Sequence, residues 1–430
     1  MALTGRAALL ALLAALVLGA SPGWATFGVV NAGLLAIIAT DVALAGAVRG
    51  LQLRREGATA VRQGEEADVT LVVVNTGRRR VRARIRDAWP PSAGSSPRVH
   101  TGDVPAGEQR RFVTTLHPTR RGDRRPSRIT VRSVGPLGVA ARQGRHEVPW
   151  SVRVVPAFSS RRFLPERLAR LRTVEGRVAA RGAGQGSEFD SLRAYVPGDD
   201  VRSIDWRATA RRDTVAVRTY RPERDRRVVI CIDTGRTSAA RIVDAPRLDH
   251  ALDASLLLAA LAERAGDRVD LVAYDALVRA DVRSASRGPT LPRLNEAMAL
   301  LEPQLVEADP SQLVPTLLGR LRRRSLVVFI TDLNAAALEE GLLPLLSTLT
   351  TRHTVVLASV SDPEIEAMAR ERGDVRAVYD AAAAERARTE RRRVATELRQ
   401  RGVEVIDAPA DTFAPAVADA YLAMKAAGRL

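Results

Sequence analysis

The chain of 430 residues contains one cysteine, Cys231, and one lysine, Lys425. A single thiol excludes a disulfide within the chain and any cysteine-rich metal centre. Its position inside an apolar run predicts a small buried hydrophobe. Aromatic residues make up 4% of a sequence that is 46% apolar, so the core has to be aliphatic. No Walker A string is present, which excludes a P-loop nucleotide site in this chain. Gly182-x-Gly184-x-Gly186 neither follows a strand nor opens a helix, and so lacks the context of a phosphate loop. His100, His117 and His146 have no metal-ligand spacing to one another.

With lysine almost absent, arginine carries the formal net charge of +17. Short clusters fall at 78–80, 120–125, 224–227, 322–324 and 391–393. One reading makes them solvated faces with counter-charges nearby. The other is attraction to an anionic partner, with membrane headgroups ahead of nucleic acid, because no aromatic residues interleave with the basic ones to stack on bases.

The length allows two or three domains. Two apolar stretches open the chain, an uncharged one at about 7–20 and a predominantly apolar one at about 27–48, separated by the turn Ser21-Pro22-Gly23-Trp24. The second is long enough to span a bilayer; the first is short and also fits a signal-peptide core. Arg6, Arg49, Arg54 and Arg55 flank the pair on one side, so the positive-inside bias predicts a transmembrane hairpin over 1–50, with the rest of the chain cytoplasmic. Asp41 lies off the centre of the second span. It is read either as a polar helix–helix contact or relay, or as a residue near enough to the interface to reach water or kept protonated.

Residues 51–157 alternate apolar and polar side chains between Gly, Pro and Asp turns. "RVRARIR" sets Val81, Ala83 and Ile85 against arginines. Six or seven short strands predict a small β-sandwich. Residues 158–226 form a linker that begins helical and leads into "GSEFDSLRAYVPGDDVRSIDWRATARRD". In that string Arg193, Arg202 and Arg211 stand beside Asp199, Asp200 and Asp205, suited to a fixed ion-pair network. Phe189, Tyr195 and Trp206 are expected to form its apolar underside. A clasp packed on a sheet edge and a ligand site are both compatible with this composition. The spacing fits no hydrolase, kinase or metalloprotease motif.

From residue 227 to 430 strands and helices alternate, which predicts a largely parallel sheet with crossover helices. Two buried strands end in a carboxylate: Val228–Ile232 at Asp233, and "SLVVFITD" at Asp332. In parallel sheets ligands bind outside the C-terminal strand ends.

The string from Gly186 to Arg211 resembles the signature of the domain-of-unknown-function family number 58. The match runs through Gly186, Glu188, Phe189, Leu192, Arg193, Tyr195, Gly198, Asp199, Asp200, Arg202, Ile204, Asp205, Trp206, Ala210 and Arg211. The resemblance implies a doubly wound, mostly parallel von Willebrand factor A-like α/β domain, preceded by a β-sandwich and two N-terminal spans. It also implies a non-enzymatic membrane-anchored adaptor that works with a MoxR-type AAA+ ATPase in a chaperone-like or assembly role. The alternative is a metal-dependent enzyme of unknown type built on Asp199, Asp200 and Asp205. Folds of this type often hold Mg2+ in an adhesion site. Asp233 and Asp332 match its carboxylates, Thr237 its second hydroxyl, and Thr290 is the candidate loop threonine, while Gly235 stands where the first serine is expected. Oxygen ligands of this kind suit a hard octahedral cation. The other reading makes the two aspartates helix N-caps.

Overall fold

In a computed structural model of the chain, residues 1–181, 188–197, 199–211, 214–221, 226–284, 289–311, 313–335 and 338–430 are described. The glycines Gly182, Gly184, Gly186 and Gly198 lie outside them. Two compact units divide at Val155 and Pro156.

The first unit carries two apolar helices, α1 (Gly5–Ala20) and α2 (Trp24–Leu44). Neither shows a polar face. Leu9, Leu12, Leu16, Phe27, Val29 and Leu35 are all exposed, an arrangement that water does not favour. Among the described residues one helix, α2, is long and apolar enough to cross a membrane. The shorter α1 rises only about 24 Å, against a hydrocarbon core of about 30 Å.

The strands of this unit are β1 (Ala2–Leu3), β2 (Leu51–Gly57), β3 (Ala60–Arg62), β4 (Ala67–Asn75), β5 (Val81–Asp87), β6 (Val99–Val104), β7 (Gln109–Leu116), β8 (Gly122–Arg124), β9 (Ile129–Val134), β10 (Ala140–His146) and β11 (Val152–Val155). They form sheets ordered β1-β10-β9-β5-β6, β2-β4-β7 and β3-β11-β8. Alternation decides which side chains go inside. Val81, Ala83 and Ile85 of β5 join Leu71 and Val73 of β4 in one aliphatic core, while Arg82, Arg84 and Arg86 point out.

Asp41 departs from both expectations for it. It is fully buried, and its carboxylate accepts the backbone N–H groups of Leu137, Val139 and Ala140 at 2.7–2.8 Å. The last turn of α2 is thereby pinned to the β9–β10 turn. Arg55 also differs from a free flanking charge. Its side chain is buried, paired with Asp87 at 2.5 Å and placed over the Trp89 ring.

In the second unit, helix α3 (Leu164–Arg181) precedes a hairpin of β12 (Glu188–Ala194) and β13 (Ala216–Arg221), with the short helix α4 (Trp206–Thr209) between its strands. Then follow β14 (Arg227–Asp233), the small ribbon β15 (Arg241–Ile242) and β16 (Ala245–Pro246), α5 (Arg247–Arg264), β17 (Arg268–Tyr274), β18 (Val278–Val282), α6 (Thr290–Ala299), α7 (Leu313–Arg320), β19 (Leu326–Ile330), α8 (Leu343–Arg352), β20 (Thr354–Ser361), α9 (Pro363–Arg370), α10 (Val375–Gln400), β21 (Glu404–Pro409) and α11 (Ala410–Ala426).

The main sheet runs β18-β17-β14-β19-β20-β21, parallel except for the antiparallel edge strand β18. Both faces are covered. Val228, Ile230 and Ile232 pack with α5 and α11, while Val229 and Cys231 pack with Leu317 of α7, Leu346 of α8 and Leu398 of α10. This explains why β14 reads as a continuous apolar run and not as an alternation. Cys231 is fully buried in it, and burial pushes its thiol pKa up, far from reactivity. From β14 the chain moves first to β17 on one side and later to β19 on the other. The switch point of the sheet therefore lies between the C-terminal ends of β14 and β19.

Candidate functional site at the strand ends

Asp233 and Asp332 close β14 and follow β19, one on each side of this switch point, and the structure brings them to one small cavity. It has a volume of about 10 Å3 and is lined by both aspartates with Thr237, Thr331 and Arg247. Asp233 is buried. Its Oδ1 accepts the Gly235 N–H at 2.6 Å, and its Oδ2 accepts the hydroxyls of Thr331 at 2.6 Å and Thr237 at 3.3 Å. Burial raises its pKa above the usual carboxylate range, the neighbouring Asp332 adds to this, and the three hydrogen bonds oppose it.

Asp332 sits in a different field. Arg247 Nη1 lies 3.1 Å from its Oδ2, and Arg391 Nη1 donates to its Oδ1 at 2.7 Å. Arg391 also reaches Asp407 at 2.8 Å, the Ser359 hydroxyl at 2.6 Å and the Val360 carbonyl at 3.1 Å. These carboxylates raise its pKa and outweigh the burial that lowers it. Every polar edge of this guanidinium is used, from three different strand ends. Beyond the clamp, Asp332 and the two arginines face a cleft of about 500 Å3 between α9 and α10, walled by Ile365, Glu366, Ala387, Arg388 and Arg392.

Three features separate this site from the Mg2+ site that the resemblance implies. Thr290 is elsewhere: its N–H donates to Glu263 at 2.7 Å, near the C-terminal end of α5, about 24 Å along that helix from Arg247. The expectation that it completes the ligand set is corrected, because α6 starts at the opposite end of the sheet. Gly235 is fixed by close approach. A Cβ there would come within 2.9 Å of the Val306 carbonyl oxygen and 3.0 Å of the Asp233 carboxylate, so the loop at 306–308 occupies the place of the expected serine. Finally, two guanidinium groups already neutralise Asp332, which removes the charge that would draw a divalent cation to it. Among the described residues no group of three or more His, Cys, Asp or Glu side chains is placed to hold a metal ion. The donor set does not fit Mg2+.

The signature segment is built by structural hydrogen bonds. Arg193 pairs bidentately with Asp199 at 2.7 and 2.5 Å, and this lowers the Asp199 pKa. Asp200 caps the turn at Val201–Ser203 by accepting the Arg202 N–H at 2.9 Å. Asp205 caps α4 through the N–H groups of Arg207 and Ala208 at 3.0 Å and binds Arg218 at 2.8 Å; the Ala208 N–H first, then Arg218 and last the Arg207 N–H, lower its pKa. The Tyr195 N–H donates to Val215 at 2.8 Å, and Arg211 ends the α4 turn, exposed, with its N–H on Ala208. Glu188 opens β12; its side chain and that of Phe189 lie outside the described residues. Trp206 corrects the expected apolar underside, being 70% exposed.

Sequence reasoning missed Thr331, Arg247, Ser359, Asp407 and Arg391. The last belongs to the 391–393 cluster, for which both readings, a solvated face or attraction to an anionic partner, left it facing outward, whereas its side chain is 20% exposed. The available signal was position: Thr331 precedes Asp332, and Arg247 opens the helix that follows Asp233.

Residues 191–404 match the family model described as protein of unknown function DUF58. The uncharacterized protein Rv1480 of Mycobacterium tuberculosis (strain H37Rv) is 27% identical over 182 residues, 42% of this chain and 56% of that protein. The uncharacterized protein Mb1516 of Mycobacterium bovis matches to the same extent. The chain thus spans little more than half the length of these relatives. Among solved structures, the von Willebrand factor A (VWA) domain of SpRpn10 is 11% identical with a TM-score of 0.29, covering 45% of this chain and 94% of that one. The CARDB domain of the PF1109 protein from Pyrococcus furiosus is 20% identical with a TM-score of 0.19, covering 24% of this chain and 87% of that one.

Proposed function

We propose, from the premise that this chain belongs to the DUF58 family over residues 191–404, that it is a membrane-anchored interaction protein. Its doubly wound, von Willebrand factor A-like domain docks a partner protein at the cleft beside Asp332. The observation that carries this reading is the arginine clamp: an open cleft of about 500 Å3 at the switch point, with a carboxylate held in place by Arg247 and Arg391. The charge that a divalent cation supplies in an adhesion site is supplied here by two guanidiniums, which are permanently cationic and geometrically fixed. In this reading α1 and α2 form a two-span anchor, Arg49 and Arg54 favour the cytoplasmic side for the globular units, and the signature segment is a clasp and not a catalytic centre.

The family resemblance supplies the partner class, a MoxR-type AAA+ ATPase. With no Walker A string in this chain, ATP hydrolysis belongs to that partner. Affinity capture of the full chain from detergent-solubilised membranes tests the proposal. Recovery of an AAA+ ATPase in stoichiometric amounts supports it; repeated capture without any ATPase overturns it.

A further inference from the structure

The outer face of the sandwich carries a second cationic feature, made by strand alternation and not by an arginine run. In β5, Arg84 and Arg86 project outward; Arg132 of β9, Arg145 of β10 and Arg98 beside β6 converge on them around a groove of about 470 Å3. Its remaining lining is Val99, Thr130 and Gln143, with no acid. Arg84 and Arg132 sit directly opposite each other in the β5–β9 ladder, an arrangement of like charges that destabilises a sheet. Arg132 donates to Gln143 at 2.8 Å, while the side chains of Arg84, Arg86, Arg98 and Arg145 make no hydrogen bond or ion pair among the described residues. Five guanidiniums held together without counter-charge point to an anion that arrives from outside.

The position names the source. Arg142 donates to the Val42 carbonyl and Arg79 to that of Ala43, at the C-terminal end of α2. From Arg142 to Arg145 is about 10 Å of strand. A second cavity, of about 730 Å3, bridges that distance: it touches Val42, Ala47 and Arg49 at one end and shares Gln143 and Arg145 with the groove. The trough therefore begins where the apolar helix ends, within about one Debye length of the surface of a membrane holding α2. We propose that it seats the phosphate headgroup of an anionic lipid from that membrane. The inference rests on the anchoring of α2 proposed above and is independent of the cleft beside Asp332.

The full chain, purified in mild detergent and mixed with phosphatidylglycerol or phosphatidylcholine at low ionic strength, is examined by native mass spectrometry. Wild type is expected to retain phosphatidylglycerol over phosphatidylcholine. The triple variant Arg84→Gln, Arg132→Gln, Arg145→Gln is expected to lose retention by about a hundredfold, since each basic residue near an anionic surface contributes about a fivefold factor. Because the triple variant also removes the Arg84–Arg132 repulsion, its melting temperature should equal or exceed that of wild type. A variant with lysine at the three positions should regain most of the binding. Equal retention by wild type and the glutamine variant overturns the proposal. So does equal affinity for a soluble polyanion such as heparin with no lipid retained. Alkaline carbonate extraction separates the two readings: if the chain leaves the membrane fraction, the anchoring fails; if it stays and the lipid result is negative, only the groove proposal fails.

Discussion

Replacing Arg391 with methionine isolates the clamp. The substitution keeps most of the aliphatic stem and removes the guanidinium that joins Asp332, Asp407, Ser359 and Val360. Breaking a buried ion pair by deleting one partner costs about 3–5 kcal/mol. Asp407 is 27% exposed and Asp332 keeps Arg247, so about 2–3 kcal/mol is expected here, or a fall of roughly 4–10 °C in melting temperature for a domain of this size. The second half of the prediction concerns the ion. If guanidinium charge takes the place of Mg2+, wild type gains nothing from 10 mM Mg2+. The double variant Arg247→Met, Arg391→Met, which frees both Asp332 oxygens beside Asp233, gains stability from it. A dissociation constant near 1 mM would give about 1.4 kcal/mol, a rise of roughly 3–5 °C. Differential scanning calorimetry with Mg2+ and with EDTA reads both halves. A wild-type transition raised by Mg2+ through Asp233, and abolished by Asp233→Ala, would refute the reasoning.

Burial holds Asp233 protonated to a higher pH than in the unfolded chain. Its contribution to stability is therefore fully present below the ordinary carboxylate value and is lost as pH rises through the raised one. Asp233→Asn should accordingly melt higher than wild type near pH 8, with the difference shrinking as pH is lowered, as followed by thermal circular dichroism. Asp41→Ala leaves three backbone N–H groups of the β9–β10 turn without their acceptor, at a cost of about 3 kcal/mol or more, measurable by chemical unfolding of the full chain in detergent. Phe329 is fully buried at the centre of β19. Phe329→Ala should cost about 3–5 kcal/mol in the same assay.

Most of the α/β architecture was legible because both faces of its sheet are covered. Runs such as Val228–Ile232 and Leu326–Ile330 carry no alternation, and each is followed at once by polar turn residues. The sandwich was legible for the opposite reason, the strict alternation of "RVRARIR". The site was legible only where a carboxylate ends a strand. Thr290 misled because a loop threonine at a plausible spacing says nothing about which end of the sheet its helix starts from. Arg391 stayed hidden among neighbouring arginines: nothing local distinguishes the residue that turns inward to Asp332 and Asp407 from Arg392 and Arg393 beside it, which are largely exposed. Gly235 was correctly seen as a departure, but its cause, the approach of the Val306 backbone, is tertiary.

The central claim is that the cleft beside Asp332 docks the partner. Ala387 lines this cleft from an exposed position on α10 and makes no part of the clamp. Ala387→Trp fills the cleft while leaving Arg247, Arg391 and Asp332 in place. The decisive measurement is the dissociation constant of the captured AAA+ ATPase for wild type and for this variant, both in the same detergent. Docking at the cleft predicts at least tenfold weaker binding by the variant at an unchanged melting temperature. Equal affinity would contradict it.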